Sequence, residues 1–158
     1  KDPETILGPV LSKKSVGELN LGVSPVISVS PDTKTIDTFK ILYEKRISGL
    51  PIVRDNLLIG NISAKDLRAV YKFGGNFFQL MNLPVLEFVN EIRRDESVQA
   101  VNPGIAVNLE TPLALVIRRL AVKGIHRIYV CDRHKSPIRI ITLSHVLAAI
   151  LGFENHDN

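Results

Sequence analysis

The chain has 158 residues, 45% hydrophobic and 23% charged, the balance of a soluble folded protein of one average domain or two very small ones. Twenty Lys and Arg against sixteen Asp and Glu leave a net charge of +4, and the cations are dispersed, which suits small anions better than a nucleic-acid backbone. One cysteine, Cys131, excludes an internal disulfide and a cysteine-based zinc cluster and points to a reducing, intracellular compartment.

In chain order, residues 1–22 read as a lead-in. Its start, Lys1-Asp2-Pro3-Glu4, has neither an initiating Met nor a signal-peptide pattern, so the chain reads as a fragment of a longer one. Val26 to Val29 is a short β-branched run, and Pro31-Asp32-Thr33 is a turn and helix-start signal. Ile36, Phe39, Leu42 and Tyr43 then recur at helical spacing and predict an amphipathic helix with one buried stripe. Leu50 to Val53 and Leu58 to Ile62 are brief strands around a hairpin at Arg54-Asp55-Asn56, and a helix begins near Ser63.

Residues 73–103 form a connector. Pro84 suits a first helical position, and Val85, Phe88, Val89 and Ile92 supply an apolar face, so this part is expected to be a packed helix. Asp95 to Pro103 is more polar and reads as a loop. The earlier order then recurs: a strand at Ile105 to Val107, a helix over about Thr111 to Val122, strands at Arg127 to Cys131 and Ile138 to Ile141, and a helix from Leu143 to Leu151. No apolar run approaches the roughly 18 residues of a membrane span.

The recurrence is an internal repeat. Ile41 to Ile52 aligns with Arg119 to Val130 at an offset of 78, pairing Leu42 with Leu120, Leu50 with Ile128 and Ile52 with Val130. Ile59 to Val70 aligns with Ile138 to Ala149 at 79, so the second copy carries one extra residue, among Asp132 to Pro137. The domains are thus a first copy at 23–72 and a second at 104–152, with a tail at 153–158. Copies of about 50 residues are too small to bury a sufficient core alone and should pack as one unit with approximate two-fold symmetry.

Where the third strand of the first copy turns into a helix stands Gly60-Asn61-Ile62-Ser63-Ala64-Lys65-Asp66. Ser63 and Asp66 have capping-box spacing, with Asp in place of Glu or Gln. A carboxylate beside a helix N-terminus can also accept two hydrogen bonds from the vicinal hydroxyls of a ribose, and the two readings are compatible. His126-Arg127 enters a strand of the second copy. His126 can be a structural hydrogen-bonding group or a ligand contact, while Arg127 is the better phosphate ligand because guanidinium binds phosphate oxygens bidentately. Alternation sends these two side chains to opposite faces.

The order helix, strand, hairpin and G-x-I-S-x-x-D resembles the cystathionine-β-synthase (CBS) domain, and the chain resembles a tandem pair of them. Lys14 to Gly22 (KSVGELNLG), Arg46 to Val53 (RISGLPIV), Gly60 to Asp66, Gly124 to Val130 (GIHRIYV) and Ile141 to Leu151 (ITLSHVLAAIL) are similar to the carboxy-terminal CBS pair of the γ subunits of AMP-activated protein kinase and its plant and fungal relatives. The resemblance covers roughly residues 12 to 152. It implies an α/β (α+β) fold of two β-α-β-β-α domains in a pseudo-two-fold pair and a non-catalytic module that binds AMP, ADP or ATP in its clefts, without a metal or further cofactor. The implied partners are kinase catalytic (α) and scaffold (β) subunits and another CBS pair, in the same chain or by dimerisation, with no nucleic acid or membrane. The implied setting is the cytoplasm, the nucleus or both.

By the same resemblance, Asp66 would hold the ribose in one cleft, with Ser63 and Lys65 at its rim, Arg94 on the nucleotide and Ala106 against the base. His126 and Arg127 would meet phosphates. Val23, Ser28, Ile47 and Ser48 would line the second cleft with Thr142 and Ser144. The second copy departs from the pattern, because Arg139 stands where the first has Gly60 and His145 where it has Asp66. Thr142 can still cap the helix, but a neutral imidazole offers one acceptor where a carboxylate offers several. The second cleft is therefore expected to bind nucleotide weakly, to bind something else, or to be empty. Arg139 reads as added phosphate affinity or as a charge at a hairpin edge. Nothing else has the spacing of a chemical site: Cys131 reads as a small buried residue, His134, His145 and His156 lack metal-ligand spacing, Gly74-Gly75 lacks the rest of a phosphate loop, and Arg118, Arg119 and Lys123 read as a mostly solvated helix face or a partner surface.

Overall fold

The computed structural model describes residues 3–93 and 105–153. They fall into two compact units that do not follow chain order: one joins residues 3–26 to 105–153, and the other comprises 27–93. Among the described residues no helix is long and apolar enough to cross a membrane.

In the unit of residues 27–93, α2 (Thr35–Glu44) is followed by the antiparallel pair β1 (Gly49–Arg54) and β2 (Leu57–Ser63). Asp55 and Asn56 close this hairpin with φ of 51° and 64°, the left-handed pair that a two-residue turn demands and that Asp and Asn tolerate. The expected strand at Val26 to Val29 is reduced to Val29, which bridges Ile52 in parallel. After β2 the chain runs through a 3-10 helix, Ala64–Asn76, then α3 (Phe77–Asn82) and α4 (Val85–Arg93). The helix expected from Ser63 is thus a 3-10 helix, and the described part of the connector carries α3 and α4, while the loop expected at Asp95 to Pro103 lies outside the described residues.

Both connector helices belong to the core of this unit. Val85, Phe88, Val89 and Ile92 of α4 are buried with Leu42, Leu50, Ile52 and Ile62, and Phe88 meets Phe39 edge-on at 6.0 Å. Backbone bonds tie the helix starts together: Val85 N–H donates to Thr33 O at 2.8 Å, and Thr35 N–H and Oγ1 both donate to Leu83 O at 2.9 Å. Tyr43, expected in the buried stripe, is 86% exposed, because Thr35, Thr38 and Leu42 turn the inward face of α2 away from it. Gly60 explains itself here, since a Cβ would lie 3.2 Å from Ile52 Cδ1 and 3.6 Å from Leu86 of α4.

In the other unit β3 (Ala106–Val107) runs parallel to β4 (Arg127–Cys131), which pairs antiparallel with β5 (Pro137–Thr142). α5 (Leu113–Lys123) and α6 (Leu143–Leu151) each end on a left-handed glycine, Gly124 and Gly152, as helix C-termini favour. The longer β4–β5 connection is organised by Asp132, whose Oδ1 accepts from the N–H groups of His134 at 2.8 Å and Ser136 at 2.9 Å. The repeat reappears in the registers. Val107 faces Val130 as Val29 faces Ile52, and both hairpins slip register at that residue, after Val130 and after Ile52.

Residues 23–26, placed in the first copy by the repeat, run instead with the second. Val23 N–H donates to Ile140 O at 3.0 Å and Ile140 N–H returns a bond to Val23 O at 3.1 Å. The lead-in goes with them: Val16 and Leu21 are fully buried among Leu113, Ile128 and Ile141, and α1 (Pro3–Leu11), kinked at Gly8, packs on α5. The half-paired edge of β5 gains a partner in this way, which satisfies backbone groups that would otherwise be exposed.

Candidate functional site

The corner where β2 ends is built by short-range chemistry. Ser63 is extended, with φ −138° and ψ 160°, and its N–H donates to Asp66 Oδ2 at 2.6 Å. Its hydroxyl donates to the same oxygen at 3.1 Å, and the pair forms a capping box on the 3-10 helix. Ala64 N–H donates to Ser48 O at 3.0 Å, so Ser48 and Ile47, at the entry to β1, adjoin this corner through the backbone. Lys65 is exposed at the helix start.

Arg93, the last residue of α4, was not singled out by any motif. Its Nη2 donates to Asn61 O at 3.1 Å and stands 3.9 Å from Asp66 Oδ1. The ion pair is partly desolvated, the two side chains being 22% and 18% exposed. Arg94, the basic residue expected here, lies outside the described residues.

The corresponding corner of the other unit holds Thr142, Ser144 and His145. Thr142 N–H donates to His145 Nδ1 at 3.0 Å, and Thr142 Oγ1 lies 3.1 Å from the same nitrogen. His145 has replaced the carboxylate in the capping box itself, as an acceptor at the third helical position. Ser144 is exposed beside it. Arg127 is half-buried directly across the ladder from Thr142.

His126 immediately precedes β4. It lines an apolar groove of about 280 Å³ with Ile117, Leu120, Leu143 and Val146. Ala106 is exposed on β3, and its carbonyl accepts from Arg119 Nη1 at 2.7 Å. Arg119 therefore ties α5 to β3 from a helix face expected to be mostly solvated. Val23 is half-buried on the edge of β5, while Ser28 is exposed in the other unit. Arg139, half-buried in β5, turns to the lead-in and donates to Asn20 Oδ1 at 2.5 Å.

Among the described residues, Cys131 and Glu18 depart from their ordinary values. Burial pushes the Cys131 thiol up to about 11, with the nearby Asp132 charge adding to it, so this is an inert packed thiol. Hydrogen bonds from the Ser15 backbone and hydroxyl hold Glu18 below the ordinary carboxylate value. Among the described residues no group of His, Cys, Asp and Glu has the arrangement of a metal centre.

A family model for the CBS domain matches residues 16–72 and 89–152. The chain is 29% identical over 139 residues to the Arabidopsis thaliana SNF1-related protein kinase regulatory subunit gamma-1-like protein and 26% identical over 149 residues to subunit gamma-1. These alignments take in 82% and 87% of this chain but 31% and 35% of the relatives, so the chain spans about a third of their length. The structure of CBSX2 in complex with AMP superposes with a TM-score of 0.67 at 25% identity, covering 87% of this chain and 96% of that one. A protein of Methanocaldococcus jannaschii shares the fold, with a TM-score of 0.72 at 18% identity over 91% of this chain and half of its own. The repeated order of helix and hairpin among the described residues, matched twice by one family model, makes the assignment: the chain belongs to the CBS domain family, as a tandem pair.

Proposed function

We propose that this chain is an adenine-nucleotide-binding regulatory module of the kinase γ-subunit type, sensing cellular energy state in the cytoplasm or nucleus. The observation that carries this reading is the Asp66 corner. One carboxylate oxygen is consumed by the Ser63 cap, while the other accepts no hydrogen bond from the described residues and lies beside a helix start, suited to the vicinal hydroxyls of a ribose. Relatedness to two kinase γ subunits and to CBSX2, which has been solved with AMP, supports adenylate as the ligand.

Such a module catalyses nothing. Bound nucleotide shifts a larger assembly between states only by its difference in affinity for them. Kinase catalytic and scaffold subunits and a second CBS pair are the partners that this reading calls for. The apolar outer residues of α6, Leu143, Leu147, Ile150 and Leu151, are between 40% and 58% exposed, which suits a further protein surface such as that second pair.

A second reading rests on the other corner. With His145 in place of a carboxylate, that copy lacks the acceptor set for a diol, which favours a nucleotide-independent scaffold there, or a module regulating another enzyme or a transporter. Calorimetric titration of the 158-residue chain with AMP, ADP and ATP, alongside Asp66→Ala, tests the choice. One dominant site, lost or much weakened in the variant, is expected; no heat with any nucleotide from a folded sample refutes nucleotide sensing by this chain.

A further inference from the structure

We propose that Arg93 is a positioning residue that sets the Asp66 carboxylate for a ribose diol; the proposal rests on the nucleotide reading above. Asp66 is gripped from two sides. Oδ2 takes both the N–H and the hydroxyl of Ser63, at 2.6 and 3.1 Å. Oδ1 faces Arg93 Nη2 at 3.9 Å, too long for a hydrogen bond but close enough for charge attraction in a partly desolvated corner. The two holds fix the carboxylate rotation, with Oδ2 turned to the cap and Oδ1 presented with its acceptor capacity intact.

The guanidinium is itself held. Nη2 donates to Asn61 O at 3.1 Å, and the residue extends from the end of α4, whose Val89 and Ile92 are buried in the core. Arg93 therefore links a packed helix to the β2 backbone and to the carboxylate at once. An arginine can do this because its planar fork carries several donors in fixed geometry; a lysine has one point charge. A carboxylate oriented before the ligand arrives spends less ordering entropy on binding, and the gain appears only for a ligand that engages it. Arg93 should thus affect recognition of the 2′-hydroxyl more than recognition of base or phosphate.

The test compares AMP with 2′-deoxy-AMP by calorimetry on the 158-residue chain and on Arg93→Met, Arg93→Lys and Asp66→Asn, with thermal melts to establish folding. Arg93→Met keeps the apolar stem and removes the charge and the fork. The wild-type chain is expected to prefer AMP by about tenfold, the scale of one hydrogen bond to a charged group. Asp66→Asn should bring that ratio close to one, Arg93→Met should lower it at least about threefold, and Arg93→Lys should restore part of it. A purely structural role would weaken both ligands alike and leave the ratio unchanged. Arg93→Met at the wild-type ratio, with Asp66→Asn near one, overturns this proposal and leaves the nucleotide reading standing. Equal wild-type affinity for the two ligands also overturns it, and no binding of AMP at all removes both.

Discussion

Arg127 lies directly opposite Thr142 in the β4–β5 ladder, in the register place that Gly49 and Ser63 occupy between β1 and β2. Directly opposed residues share a sheet face, so the guanidinium stem lies on the side of the helix start that Thr142 caps. One corner combines a glycine, a hydroxyl and a carboxylate; the other combines a guanidinium, a hydroxyl and an imidazole. No Asp or Glu occurs in α5, β4, β5 or α6. The repeat keeps the backbone device and exchanges the capping carboxylate for an imidazole.

His145 should therefore behave as a cap. His145→Ala removes the acceptor of the Thr142 N–H and should cost about 1 kcal/mol, whereas His145→Asp restores a carboxylate at a helix N-terminus and should be neutral or stabilising by a few tenths of a kcal/mol. Urea unfolding at pH 7.5 measures both. Equal losses for the two variants would argue that the imidazole ring acts by packing and not as an acceptor.

Gly22 and Gly152 separate two costs of replacing a left-handed glycine. At Gly152, φ is 73° and a Cβ would meet nothing within 4 Å, so Gly152→Ala should cost only the backbone term, about 1 kcal/mol. At Gly22, φ is 89° and a Cβ would sit 2.6 Å from the carbonyl oxygen of Ile140, a backbone atom in a sheet. Gly22→Ala should cost about 3 kcal/mol or more and should speed amide exchange at Val23 and Ile140, which bond each other.

Cys131 gives a prediction at alkaline pH. Its thiol is raised from an ordinary value of 9.0 to about 11 in the folded chain. Between those values the unfolded chain releases a proton that the folded chain keeps, so its contribution is intact below pH 9 and is lost as pH rises toward 11. The loss is on the order of 2 kcal/mol. Cys131→Ala lacks this titration, and the stability difference between wild type and variant should shift in favour of the variant across that window. Denaturant unfolding from pH 8 to pH 10.5 checks it.

Glu18 titrates in the opposite sense at acid pH. Its N–H donates to Ser15 Oγ at 3.2 Å and its Oε2 accepts the Ser15 N–H at 2.7 Å, a reciprocal cap in the lead-in. Because Glu18 is lowered from 4.5, the stabilisation is present above that value and is lost as pH falls through the lower, folded value. Glu18→Gln should lower Tm at pH 7, and the difference from wild type should shrink by pH 3.

What could be read along the chain was local or repeated. Ser63 and Asp66 are three residues apart, so a helix cap brings them together whatever the rest of the fold does. The offset of 78 exposed both copies because Leu50 and Ile128, or Ile52 and Val130, answer to the same demand for burial. Even the stripe of α4 was legible, since helical period alone aligns Val85, Phe88, Val89 and Ile92.

Contacts that close long loops had no such signal. Val23 reaches Ile140 across more than a hundred residues, which moves the lead-in onto the second copy against the order of the repeat. Arg119 leaves the solvated face of its helix to bond a carbonyl in β3, and Arg93 arrives at Asp66 only because α4 packs across Gly60. Spacing and periodicity encode what a helix or strand does to its own neighbours. Which distant side chain completes the Asp66 corner is decided by how the core closes, through burial and backbone pairing that no short window contains.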